Sequence, residues 1–177
     1  LRDFESAEEW LSRAQRLAPE RPWIWVERAA LLDAEDRREE ALEAARRALE
    51  LRPWFRPAVQ TAAHYLVQLN RDDEALALLS DAAERLQCGD LYVQLAALQM
   101  ELRCYAEARA NLQRAVALLP LLERDRTRRR LMAAQRSDVA YCCGDYDEAA
   151  RLAAEADLPF FKEIAKRLAV RPLEGKR

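Results

Sequence analysis

The feature that most constrains this chain is a repeat of about 34 residues. Ala7, Ala14 and Pro19 return as Ala41, Ala48 and Pro53, 34 residues later, and the two alanines return again as Ala75 and Ala82, where Gln87 stands in place of the proline. Further copies are Ala108, Ala115 and Pro120, then Ala149 and Ala156 with Pro159 just beyond. A fixed period of this length means that one supersecondary unit is stacked on copies of itself. Small residues seven apart lie on one helical face two turns apart, where a neighbouring backbone must approach closely.

Between these copies lies a second kind of helix. Trp25, Ala29 and Leu32 match Val59, Ala63 and Leu66, 34 residues on, with the i, i+4, i+7 spacing of an amphipathic helix. Each unit therefore reads as helix, turn, helix. Composition agrees, with only 3 Gly and 7 Pro against abundant Ala, Leu, Glu and Arg. Two turns carry helix-start signals: Asp36 with Glu39, and Asp145 with Glu148, read as capping boxes, and Gly144 suits a helix C-terminus.

The stretches EEALEAARRALELRP, GDYDEAARLAAEADLP and WIWVERAALL resemble the second and first helices of the tetratricopeptide-repeat family. The resemblance runs from about Asp3 to Pro159, with Ala29, Ala63 and Ala96 where the family usually has a first-helix Gly. It implies an all-α fold, a right-handed α-solenoid with a C-terminal capping helix. The expected divisions of this single domain are a half repeat at 1–21, repeats at 22–55, 56–88 and 89–120, an extended repeat at 121–158, and a cap and tail at 159–177. Starting in mid-repeat, the chain is expected to be a fragment of a larger bacterial multidomain protein, Arg-rich and Ala-rich as a GC-rich genome would make it.

The fifth unit holds a surplus. Ala108 to Ala149 spans 41 residues, seven more than the period, so its first helix is expected to run from about Leu122 to Tyr141 and to project beyond its neighbours. Arg124, Arg126, Arg128, Arg129 and Arg130 crowd its start, either as a docking site for an acidic partner or as a solvated helix face, with Asp125 four residues before Arg129 favouring the latter.

Candidate chemistry is sparse. His64 is the only histidine, and no metal-ligand spacing, phosphate-binding glycine loop or nucleophile elbow occurs. The chain reads as a non-enzyme with no catalytic residues, cofactor or metal. Cys142 and Cys143 are adjacent and point apart on a helix, and are expected to be buried, inert thiols. Among the tryptophans, Trp25 is the expected core residue and Trp23 a surface anchor. A net charge of −2, from 29 Lys+Arg against 31 Asp+Glu, disfavours nucleic acid and anionic membranes, and no apolar run reaches bilayer length.

In the resembled family, first helices line a concave groove. The matching residues here include Gln60, His64 and Gln68, a polar stripe at four-residue spacing. The full expected groove is Trp23, Val26, Asp33, Gln60, His64, Gln68, Asp90, Val93, Glu101, Asp138 and Tyr141. It holds four carboxylates and no cation, which excludes the family's Lys/Asn clamp for a C-terminal carboxylate and favours basic ligands. The implied function is a cytoplasmic scaffold that binds a protein, peptide or partner helix. The alternative is an accessory, substrate-presenting region of a larger enzyme, with a cysteine-peptidase-like domain downstream. The uncapped N-terminal helix offers a third use, self-association.

Overall fold

The computed structural model describes residues 4–119 and 125–169, and among the described residues it contains helices and no strand. Two compact units divide the chain after Gln87. The first holds α1 (Phe4–Leu17), α2 (Pro22–Ala34), α3 (Arg38–Leu51), α4 (Arg56–Gln68) and α5 (Asp72–Leu86). The second holds α6 (Gly89–Glu101), α7 (Tyr105–Leu118), α8 (Arg126–Cys142), α9 (Tyr146–Ala156) and α10 (Pro159–Ala169). Within each unit successive helices pack as hairpins, the arrangement of an α-solenoid, and in the first unit α2 also packs directly on α4.

The repeating alanines are the contact surface. Ala41, Ala48, Ala75, Ala82, Ala108, Ala115, Ala149 and Ala156 are all 0% exposed, and first-helix Ala29, Ala63 and Ala96 are at most 1% exposed. Around them Leu42, Val59, Leu79, Leu91, Val139 and Leu152 are fully enclosed, each worth about 1.5–3 kcal/mol relative to exposure. Gly89 marks the closest approach: a Cβ there would meet the Leu119 side chain at 2.7 Å and the Ala115 carbonyl at 3.0 Å.

The turns within repeats share a device. Asp36, Asn70, Arg103 and Gly144 all have φ near +60° to +80°, and each closes a first helix. This corrects the reading of Asp36 as an N-cap: it occupies the left-handed turn position, and Arg37 is the α3 N-cap without a side-chain capping bond. Asp145 behaves as expected, its carboxylate accepting from the Glu148 N–H at 3.3 Å. Trp54 and Gln87 take positive φ in the turns that follow second helices, Trp54 at 61° with the Arg85 guanidinium 4.7 Å over its ring. A bulky residue there is an outlier.

The two ends differ. α1 contains no buried residue, its Ala7 and Ala14 are only half-buried, and Trp10 and Leu17 are 66% and 77% exposed. α10 covers the other end, with Phe161 against Ala133, Ala134 and Ala156, and Leu168 against Ala140, Ala149 and Leu152. The surplus in the fifth unit lengthens α8 to 17 residues against 13 for α2, α4 and α6. Asp125 caps it, accepting from the Arg128 N–H at 3.0 Å, while the expected earlier start at Leu122 falls outside the described residues.

Candidate interaction surfaces on the first helices

In the first unit, α2 and α4 lie side by side and present the predicted stripe. Gln60 is half-buried, His64 and Gln68 are exposed, and the Gln68 amide lies 2.8 Å from the His64 ring nitrogen. Trp23 is 55% exposed, its ring meeting Phe55 edge-on at 5.5 Å. Val26 is a correction. It is 9% exposed and packs in the core with Ala48 and Ala58, because its position on α2 turns inward one step past Trp25. Beneath the stripe, the Tyr65 hydroxyl donates to the Ala29 carbonyl at 3.2 Å, tying α4 to α2. Burial, with the Asp33 carboxylate as a lesser cause, pushes the Tyr65 phenol up to about 12.

In the second unit, Val93, Glu101 and Asp138 come together. They line one recess of about 260 Å³ with Ala97, Met100 and Gln135 from α6 and α8. Asp138 also lines an adjoining cavity of about 420 Å³ with Tyr141, Phe160, Ile164 and Arg167. Desolvation by its surroundings raises the Asp138 carboxyl above the ordinary carboxylate range. Asp90 stands apart from this pair: the Arg128 guanidinium donates to its carboxylate at 3.0 Å. That ion pair gives Asp90, one of the four carboxylates of the expected groove, a cationic partner from α8.

Sequence comparison finds no matching family model and no matching curated protein. Solved structures do match. The crystal structure of YrrB, described as a TPR protein with an unusual peptide-binding site, is 26% identical with TM-score 0.65, covering 82% of this chain and 72% of that one. A tetratricopeptide repeat protein from Parabacteroides merdae is 20% identical with TM-score 0.70, covering 94% and 66%. The chain has the fold of tetratricopeptide-repeat proteins. A third match, in the APC/C hetero-tetramer Cut9-Hcn1, is 21% identical with TM-score 0.69; it covers 87% of this chain, which spans only 28% of that one.

Within this fold the arginine segment has internal partners. Arg130 donates to the Ala156 carbonyl at 2.8 Å and to the Asp157 carbonyl, satisfying the C-terminus of α9, and Arg126 lies 3.6 Å from the Asp157 carboxylate. With Arg128 on Asp90, three of the expected docking arginines are structural; Arg124 lies outside the described residues. Cys142 and Cys143 are exposed rather than buried, which corrects that expectation. Desolvation and the nearby Asp138 and Cys143 charges push the Cys142 thiol up, the opposite of an activated thiolate.

A crevice of about 690 Å³ opens where α1 leaves α3 uncovered, lined by Trp25, Leu32 and Leu42 with Arg28, Arg37 and Glu40 at its edge. Trp25, the expected core residue, is half-buried and donates from its indole to the Pro19 carbonyl at 3.1 Å. The edge charges pair among themselves: Arg28 with Glu8 at 2.6 Å, and Arg37 with Glu40 at 2.6 Å.

Proposed function

We propose that this chain is a protein-interaction scaffold, and that its first-helix faces receive a peptide or helix of a partner. The observation that carries this reading is the division of labour on those helices. Buried alanines supply the close helix contacts in each unit, while the exposed parts of the first helices carry Trp23 and an amide and imidazole stripe in the first unit and line the two recesses around Asp138 in the second. Aromatic rings flanked by adaptable polar groups are what interfaces use as anchors. The similarity to a peptide-binding TPR protein and to a chain within a hetero-tetramer supports the same reading.

The test uses the intact 177-residue chain as bait. Trp23→Ala combined with Gln60→Ala should release the partner while leaving thermal stability nearly unchanged, whereas Trp25→Ala should lower stability, since it removes a ring packed against the Val26 cluster. A partner that survives the double substitution but is lost on Arg129→Glu contacts α8 instead. A second surface is the exposed apolar face of α1, which suits self-association through Trp10 and Leu17.

A further inference from the structure

The recess between α6 and α8 has a chemistry more specific than a general docking surface. At about 260 Å³ it falls below the size of a pocket for a drug-sized molecule and suits a single side chain. Val93, Ala97 and Met100 supply apolar wall, and Glu101 and Asp138 supply carboxylates. Among the described residues that line it none is basic, and neither carboxylate makes a hydrogen bond or ion pair. This contrasts with three other carboxylates of the second unit: Asp90 is held by Arg128, Asp145 by Arg109 at 2.8 Å, and Glu148 by Arg151 at 2.7 Å. In a chain so rich in arginine, two solvent-exposed carboxylates lining a recess with an apolar wall match a ligand group with an aliphatic stem and a cationic head.

The neighbouring cavity sets what lies beside that group. It shares Asp138, and its other walls are Tyr141, Phe160, Ile164 and Leu168, with Phe160 71% exposed. Arg167 also lines it and would repel a second cation there. We propose that the α6–α8 recess is a specificity pocket for one lysine or arginine side chain of a partner segment, with an apolar residue of that segment in the adjoining Tyr141–Phe160 cavity. The proposal rests on the scaffold reading and specifies which partner segment this unit selects.

The probes are blocked pentapeptides, acetyl-Leu-Ala-X-Ala-Leu-amide, with X lysine, arginine, norleucine or glutamate, titrated into the full chain and followed by amide chemical shifts. Norleucine keeps the stem and removes the charge. The lysine or arginine peptide should bind about tenfold more tightly than the norleucine one, as expected for a charge-assisted contact, and should shift the amides of Val93, Ala97, Glu101, Gln135 and Asp138. The two basic peptides rank the ammonium against the guanidinium. Glu101→Gln with Asp138→Asn should erase the preference with helicity unchanged, and Asp147→Asn, on α9 outside both cavities, should leave it. Equal binding of the norleucine peptide, absence of binding by both basic peptides, or a preference that survives the double variant would overturn the proposal. None of these touches the scaffold reading, which fails separately if no partner of the intact chain depends on Trp23 and Gln60.

Discussion

Ala41 and Ala75 have no exposed surface, each enclosed on all sides by packed neighbours. A leucine at either site must displace a helix, so Ala41→Leu or Ala75→Leu should cost about 1–3 kcal/mol through overpacking, read by urea denaturation; no change at both would mean that these contacts tolerate expansion. Asp138 works in the other direction. Its carboxyl is raised above an unfolded value of about 3.9, so the native state binds more protons than the unfolded state between the two values. Stability therefore falls as pH rises through that window and stays lowered above it. Asp138→Asn should be more stable than the parent at neutral pH, with the gap closing as pH drops below about 3.9. The other charges near it are Glu101 in the same recess, Cys142 on the same helix and Arg167 across the adjoining cavity. A gap that stays constant with pH would show that the carboxylate carries no desolvation penalty.

At the scale of the element, α8 is the informative case. A helix that opens with Arg126, Arg128, Arg129 and Arg130 places positive charge at the end where the dipole favours negative. Asp125 offsets this as the N-cap, and the arginines reach out of the helix to Asp90, Ala156 and Asp157. What reads in sequence as a basic patch is thus largely the clasp that holds α6, α8 and the α9–α10 turn. Arg130→Ala should leave two carbonyls at the end of α9 without their donor and cost about 1–3 kcal/mol. Amide exchange should quicken in the last turn of α9 and the first of α10, while α6 keeps its protection; uniform exchange across the unit would refute the clasp.

For the whole molecule, the relevant contrast is between the two chain ends. The second unit covers its last hairpin with α10, whereas α1 packs on α2 and leaves Trp10 and Leu17 exposed. Sedimentation at rising protein concentration should show reversible association that Trp10→Glu with Leu17→Glu abolishes, with the thermal midpoint little changed because neither side chain is buried. Association unaffected by the pair would place the self-contact elsewhere.

The repeat, the helices and the alanine faces were legible from the sequence because they depend on spacing along the chain: the helical turn and the 34-residue period place Ala41, Ala75 and Ala149 on packed faces whatever the details of their surroundings. The same regularity identified the Gln60–His64–Gln68 stripe and the Asp145 cap. Tertiary structure alone decided what depends on rotation within a helix and on reach between helices. A small turn of α2 put Val26 in the core, and the left-handed turn took Asp36 away from its expected cap. Pairing was settled by long side chains reaching across the fold, Arg128 to Asp90 over 38 residues of sequence, while Glu101 and Asp138 were left without a cation in a shared recess. Ion pairs of this kind follow from which flexible side chains happen to face one another, and a linear period carries no record of that.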